Sequence, residues 1–101
     1  MSSDIDGLAV QNDEKAHQFR LDIDGKVAVI EYSRSDGTII FTHTEVPPSL
    51  EGKGIAAKLA RTALEYARDQ KLAVVPRCQY VASYIRKHPE FQPLVKTDTR
   101  T

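Results

Sequence analysis

The sequence has almost no cysteine and no long apolar segment, so it lacks the usual means of forming a disulfide or of spanning a membrane. Among its 101 residues there is one cysteine, Cys78, which excludes a disulfide within the chain and a zinc site built from several cysteines. No apolar run approaches the ~20 residues that span a bilayer, and the acidic start MSSDIDG lacks the apolar stretch of a signal peptide. These absences predict a cytoplasmic protein with no metal site and no membrane partner.

Net charge is also missing, because 14 Lys and Arg balance 14 Asp and Glu. The charges are unevenly placed: residues 1–50 hold four basic and nine acidic side chains, whereas residues 51–101 hold ten and five. The basic half can attract phosphates, but the pI of ≈ 6.8 argues against a nucleic-acid partner bound by charge. The length and the ordinary composition predict one globular domain, 1–101.

The first part of the chain has the two-residue alternation of β-strands. Residues 1–17 precede this alternation and are predicted to be a flexible lead-in. Residues 19–23 and 27–32 read as strands around Asp24-Gly25, which is a strong hairpin signal. After a second turn, residues 38–46 form a third, β-branched strand, so the three strands predict an antiparallel meander.

After Pro47-Pro48, which cannot continue a strand, the period changes to that of a helix. The sequence predicts an amphipathic helix over 54–70, a short buried strand over 72–75 and a second helix over 79–87, which His88-Pro89 ends. Residues 94–95 could add a short strand, and about 96–101 are predicted to fray. The order β-β-β-α-β-α predicts an α+β fold in which a crossover gives a mixed sheet with helices packed on it.

The loop before the long helix contains closely spaced glycines. Residues 52–57, GKGIAA, follow the pattern G-x-G-x-x-G/A of dinucleotide-binding loops, but five residues separate the preceding strand from the glycines, and no acidic residue follows for a ribose. A Walker loop is excluded because Gly-Lys-Ser/Thr does not occur. What remains is a helix N-terminus with free N–H groups and nearby Lys53 and Lys58, which suits a phosphate but also fits a loop without a ligand.

Three blocks of this sequence, in order, resemble a small subfamily of the GNAT superfamily of acyl-CoA N-acyltransferases. They are residues 42–48, THTEVPP; residues 51–56, EGKGIA; and the stretch from Cys78 through residues 84–91, YIRKHPEF. Glu51 stands where the superfamily pattern has Gln or Arg, and the chain lacks the N-terminal helices that contribute to the acceptor site in full-length members. The resemblance implies a reduced GNAT-like fold that uses acetyl-CoA and an amine acceptor.

The resemblance also implies a set of site residues. The coenzyme would lie against the strand before the glycine loop, the loop itself and the start of the last helix, at Thr44, Glu45, Val46, Glu51, Gly52, Lys53, Gly54, Ile55, Ala56, Lys58, Cys78 and Tyr84. Four residues would carry chemistry: Cys78 as nucleophile or proton donor, Tyr84 as the acid that protonates the leaving thiolate, and Glu45 with His43 as bases for the amine.

Each of these catalytic residues also has a purely structural interpretation. Cys78 follows Pro76-Arg77 at a predicted helix N-terminus, which favours a reactive thiolate, yet a lone cysteine is commonly a packing residue. Tyr84 could simply pack on the sheet. His43 and Glu45 share one face of a strand, which could be a solvent-exposed pair.

Three functions therefore remain open. The first is an N-acetyltransferase that moves an acetyl group from CoA to a primary amine, either in a ternary complex or through Cys78. The second is a module that binds CoA or acyl-CoA without efficient turnover, and the third is an interaction domain without a nucleotide ligand. The acceptor, the acyl chain length and the oligomeric state are not determined by the sequence.

Overall fold

A computed structural model of the chain describes residues 9–96. Within them, five strands form one sheet in the order β1-β2-β3-β4-β5, antiparallel except for the parallel pair β4–β5. The elements are β1 (Gln11–Asp13), β2 (Gln18–Ile23), β3 (Lys26–Ser35), β4 (Thr38–Glu45), α1 (Ile55–Asp69), β5 (Ala73–Pro76) and α2 (Gln79–Lys87). The predicted mixed sheet with packed helices is confirmed.

The core lies between one face of the sheet and the two helices. Side chains of β2, β3, β4 and β5 such as Phe19, Ile30, Phe41 and Val74 meet the buried stripe of α1, and Val81 of α2 completes the cluster. This helix-covered face follows from the alternation of the strands and the 3.6-residue period of the helices. Neither helix in the described part of the chain is long and apolar enough to cross a membrane.

The opposite face of the sheet, which we call the open face, is not packed against this core. Its half-buried apolar side chains, Val27, Ile40 and Val75, are not part of the core cluster or its packed neighbours. Charged and polar side chains accompany them, because one-sided antiparallel strands alternate apolar with polar residues. The open-face members are Gln11, Asp13, Gln18, Arg20, Asp22, Val27, Val29, Glu31, Ser33, Ser35, Thr38, Ile40, His43, Glu45, Ala73 and Val75.

The predicted turns are found where the sequence placed them. Asp24 and Gly25 both have positive φ, 50° and 79°, and Asp36 and Gly37 repeat this with 37° and 77°. Two successive residues with positive φ define the tight hairpin turns whose twist matches that of the strands. The predicted antiparallel meander β2-β3-β4 is therefore confirmed.

The expectation of a flexible lead-in is wrong for its described part. Residues 11–13 form β1, which pairs with β2, and the Tyr32 hydroxyl donates to Asn12 Oδ1 at 2.6 Å. The buried phenol of Tyr32 needs a partner for its hydrogen-bonding group, and this tertiary contact orders a segment without periodicity of its own. Residues 1–8 and 97–101, the rest of the lead-in and most of the predicted tail, lie outside the described residues.

The chain after α2 differs in a smaller way from the prediction. Residues 89–94 form a 3-10 segment, and the expected strand at 94–95 is a single parallel bridge between Val95 and Val74. Lys96, predicted to fray, donates its backbone N–H to the Val74 carbonyl at 2.8 Å. Hydrogen bonding to the edge of β5 therefore orders the chain through residue 96, one residue further than the sequence predicted.

An irregularity in β4 decides which side chains face the helices. Tyr32 pairs with Phe41, but Glu31 pairs with His43, so Thr42 is an extra residue, a β-bulge. The Thr42 hydroxyl donates to the Glu31 carbonyl at 3.3 Å across this bulge. As a result Phe41 and Thr44 share the helix-covered face, whereas strict alternation would have turned Thr44 to the open face.

Candidate functional site

The candidate site begins where β4 and β5 separate. The two strands pair as far as Phe41 and Pro76, and the Phe41 carbonyl then accepts the backbone N–H groups of Arg77 at 3.0 Å and Cys78 at 2.9 Å. β4 continues to Glu45 without β5 beside it. The gap lies at the C-terminal ends of two parallel strands, the place where ligands bind in sheets of this type.

The loop that follows β4 brings the N-terminus of α1 to this gap. Gly52 and Gly54 have φ of 82° and 78°, a backbone conformation that side chains with a Cβ rarely adopt. Gly54 is the N-cap of α1, offers no side chain to bond the first N–H groups, and no acidic residue stands in the first turn. The loop therefore presents backbone donors and the positive end of the helix dipole, as an anion site requires.

A cavity of ≈ 400 Å³ lies between the exposed end of β4, this loop and α2. Its volume is in the range typical of small-molecule sites. Seven of its residues belong to the predicted coenzyme set, and sequence reasoning missed three more, Leu50, Ala57 and Tyr80. The seven are Thr44, Val46, Glu51, Gly52, Gly54, Ile55 and Ala56.

The other predicted coenzyme residues do not line this cavity. Lys53 is exposed on the loop, and Lys58, half-buried in the first turns of α1, donates its backbone N–H to the Gly54 carbonyl. Both supply positive charge close to the helix N-terminus. Glu51, by contrast, is an acidic residue among those that line the cavity.

Cys78 occupies the N-cap of α2, as predicted, but it is a core residue. Of the two interpretations of this cysteine, the buried one describes its surroundings: it is only 8% exposed and belongs to the hydrophobic cluster. Its Sγ lies 2.9 Å from the Oγ1 of Thr44, which lines the cavity. The thiol therefore does not line the cavity itself but contacts Thr44, which does. This contact exists because the bulge in β4 turns Thr44 toward Cys78.

The structure brings Tyr80, rather than Tyr84, to the cavity. Tyr84 is 7% exposed and its ring stacks on His88 at 3.9 Å, between the two helices. Burial raises the pKa of Tyr84, an effect that Arg61 opposes and that Glu90 and Glu65 reinforce. Its position is that of a packing residue at the interface of α1 and α2.

Tyr80 is 36% exposed and is the large hydrophobic side chain that residues 9–96 leave most accessible. Burial by its surroundings, with a contribution from Tyr84, raises its pKa, so the phenol keeps its proton at neutral pH. Tyr80 and Tyr84 are four residues apart on one helix stripe. Sequence reasoning could have selected Tyr80 for the cavity, because it lies in the first turn of α2, next to the ends of the strands.

His43 and Glu45 lie on the open face, opposite the cavity. His43 Nε2 is 3.6 Å from Glu45 Oε1, and their side chains are 55% and 70% exposed. The prediction that the two residues share a face is confirmed; strand alternation separates them from Thr44, and the bulge turns Thr44 rather than the pair toward the helices. Among residues 9–96 no three His, Cys, Asp or Glu side chains are grouped closely enough to hold a metal ion.

The comparison with known families agrees with this arrangement of glycine loop, separated strands and cavity. Residues 18–94 match the GCN5-related N-acetyl-transferase family. The match covers most of the chain, from β2 through the 3-10 segment after α2, and includes every residue that lines the cavity. The chain belongs to this family, and the resemblance drawn from the three sequence blocks is confirmed.

Similar proteins include several that carry the name protein NATD1. The one from Xenopus tropicalis is 31% identical over 86 residues, which cover 81% of this chain and 78% of that protein. The one from Gallus gallus is 33% identical over 85 residues, covering 81% and 77%. The one from Homo sapiens is 32% identical over 85 residues, covering 81% and 75%.

Proposed function

We propose that this protein transfers an acetyl group from acetyl-CoA to a primary amine. One observation carries the proposal: the end of β4, freed from β5, and the glycine-capped N-terminus of α1 line the same cavity. A thioester cosubstrate with a pyrophosphate needs this combination, because one part of the molecule is an anion and the other is a neutral amide chain.

The residues of the cavity suit the two parts of the cosubstrate. The backbone N–H groups at the start of α1 would bind the pyrophosphate, with Lys53 and Lys58 adding positive charge. Gly52 and Gly54 leave space for a close approach, since a Cβ built at either position meets nothing within 4 Å. The end of β4 at Thr44, with Val46 just after the strand, would hold the pantetheine arm and polarise the thioester carbonyl through backbone N–H groups.

The acceptor amine would be activated from the open face. A protonated amine has no lone pair to attack with, and the His43–Glu45 pair can take its proton directly or through water. The amine nitrogen then forms a bond to the thioester carbon and releases a second proton to solvent. The C–S bond breaks, and the sulfur leaves with the electron pair. In this reaction the amine would have to reach the thioester where β4 and β5 no longer pair.

The departing thiolate requires a proton. Tyr80 reaches the cavity with a protonated phenol and is the donor that the geometry favours; Tyr84 is held between the helices. A route through Cys78 would have its thiolate take the acetyl group first and pass it to the amine, with the same overall balance of bonds. For that route the Thr44 side chain would have to turn aside, because it separates the thiol from the cavity.

A specific observation favours the second candidate, a CoA-binding module without efficient turnover. Cys78 and Tyr84, the two residues that the resemblance assigned to chemistry at the sulfur, both lie outside the cavity wall. In such a module the cavity would bind the coenzyme and Tyr80 would serve as a wall.

The two candidates are separated by one pair of measurements on the full chain. Calorimetric titration with CoA should show binding in either case, and a lack of binding would contradict both. Acetyl transfer from acetyl-CoA to a mixture of primary amines, followed as free thiol release, supports the enzyme. Binding without amine-dependent thiol release supports the module.

A further inference from the structure

A further concave site lies at the edge of β5 and shares no lining residue with the cavity at the glycine loop. It has a volume of ≈ 330 Å³ and lies between the end of β5, one side of α2 and the chain around the 3-10 segment. We call it the edge cavity, and it is lined by Pro76, Ala82, Ile85, Arg86, Gln92 and Val95. We propose that the edge cavity binds a small carboxylate that carries an apolar chain or ring.

The walls of the edge cavity are held in place by backbone hydrogen bonds. Val95 forms the bridge to Val74 and donates its N–H to the Gln92 carbonyl at 3.0 Å, which fixes the wall that follows α2. On the other side, the N–H of Ala82 donates to the Cys78 carbonyl at 3.0 Å in the first turn of α2. The side chain of Ala82 is a single methyl group, so α2 leaves room at this position. The cavity is therefore preformed by the fold, as small-molecule sites usually are.

The lining of the edge cavity combines an apolar interior with a polar mouth. Ile85 is buried and three further apolar residues are half-buried, whereas Arg86 and Gln92 are exposed. The planar guanidinium of Arg86 matches the two oxygens of a carboxylate, and the Gln92 amide can donate a further hydrogen bond. Arg86 takes part in none of the ion pairs found among residues 9–96. A ligand would therefore place its carboxylate at the mouth and its apolar part inside.

The charge around the mouth of the edge cavity favours an anion. Three of the lining residues are each followed directly in the chain by an exposed basic side chain, namely Arg77, Lys87 and Lys96. Together with Arg86 they are four of the ten basic side chains of residues 51–101. Glu90, the acidic residue of the 3-10 segment, is not among the lining residues. A concentration of one sign of charge at a cavity attracts a ligand of the opposite sign.

These features select an apolar carboxylate among small ligands. The one guanidinium in the lining matches a single negative charge, and a carboxylic acid is ionised at neutral pH. A phosphate monoester carries nearly two charges and would have to lose part of its hydration against an apolar interior. An amine would be repelled by the basic side chains around the mouth. The volume is near the lower end for small-molecule sites, so the apolar part of the ligand is short.

The test uses octanoate as the probe, with octanol and octylamine as controls of the same chain length. Each is titrated into the full chain at neutral pH, and binding is followed through the backbone amide signals in NMR spectra. We expect octanoate to shift the signals of Ala82, Arg86, Gln92 and Val95 in a saturable way, and to bind more tightly than either control. No octanoate binding at concentrations up to about 10 mM, or octanol bound as tightly as octanoate, would overturn the proposal.

Variants separate the charged part of the site from the apolar part. Arg86→Gln keeps a polar side chain and should weaken octanoate about three- to tenfold, while octanol affinity stays within about twofold. The matched control Lys87→Gln removes the same charge one residue further along α2, outside the lining, and should change octanoate affinity less than about twofold. Ala82→Leu fills the cavity and should weaken octanoate and octanol alike, at least about tenfold. Unchanged octanoate affinity in Arg86→Gln would overturn the proposal.

Three other outcomes would also overturn the proposal. Shifts confined to the glycine loop would place octanoate in the other cavity. Signals of the edge cavity that move with protein concentration alone would assign it to a second copy of this chain. Tighter octanoate binding in Asp98→Asn would assign it to the chain's own carboxylate, two residues beyond Lys96 in the sequence. None of these measurements uses acetyl transfer, so their result is independent of the proposed function.

Discussion

The two faces of β4 have different surroundings although they come from one eight-residue segment. On the helix side, Phe41 is fully buried and Thr44 contacts Cys78; on the open side, His43 and Glu45 are exposed and contact each other. The bulge at Thr42 separates the two sets. One strand thus carries both a wall of the cavity and the His43–Glu45 pair, and the sheet keeps them apart.

Truncating one residue on each face should give the largest difference in stability. Phe41→Ala leaves a hole in the core and should cost about 3–5 kcal/mol of the free energy of unfolding. His43→Ala, two residues away on the open face, should stay within about 0.5 kcal/mol. Urea denaturation measures both, and similar losses for the two variants would show that the open face is packed.

Removing one phenol hydroxyl at a time should show which tyrosine protonates the leaving thiolate. Tyr80→Phe should lower the rate of acetyl transfer about 10²-fold if this phenol protonates the thiolate. Tyr84→Phe keeps the stacked ring and should leave the rate within a factor of three. Steady-state kinetics measure the two rates, and thermal melts check that both variants fold. A larger loss of rate in Tyr84→Phe than in Tyr80→Phe would assign the proton donor to Tyr84.

Gly54, the N-cap of α1, and Gly37, in the turn before β4, allow a matched test of the proposed coenzyme loop. Gly54→Asp places a negative charge at the N-terminus of α1 and should weaken CoA binding at least about tenfold, or 1.4 kcal/mol. Gly37→Asp introduces the same side chain at nearly the same φ, 77° against 78°, in a distant turn. Calorimetry should find CoA affinity unchanged in Gly37→Asp, and equal losses would point to a general effect on folding.

The two faces of the edge strand β1 should also differ in their contribution to stability. Asn12→Ala removes the acceptor of the Tyr32 hydroxyl on the helix side and should cost about 1 kcal/mol. Gln11→Ala, on the open side of the same strand, should change stability by less than about 0.5 kcal/mol. Chemical denaturation of both variants would detect the difference; an equally small effect would restore the view of this segment as a dispensable lead-in.

Alkaline pH should weaken the helix-covered side slightly. Burial raises the pKa values of Tyr32 and Tyr84 above 10.0, so the native state keeps protons that the unfolded chain releases. Stability must therefore fall as pH rises past about 10. Tyr84→Phe should lose less stability than the wild type between pH 8.5 and 11, with a difference below about 1.4 kcal/mol, one pKa unit. Equal losses would argue that Tyr84 is not shielded.

Local sequence predicted the secondary structure well because the signals were local. The turns at Asp24-Gly25 and Asp36-Gly37 need residues that tolerate positive φ, and they were found there. α1 was predicted over 54–70 and runs over Ile55–Asp69, since its apolar stripe repeats at the helical period. The glycine loop was recognisable for the same reason.

The sequence by itself therefore determined the order of the elements from β2 to α2, the buried stripe of α1, and the glycine loop that precedes this helix. Only the tertiary structure decided that Thr42 bulges and turns Thr44 toward Cys78, that Asn12 is fixed by Tyr32, and that Tyr80 rather than Tyr84 reaches the cavity. The physical reason is the distance along the chain between the residues that interact. Turns and helix stripes depend on residues within about one turn of each other, whereas each of these three outcomes depends on a partner strand or helix distant in the chain.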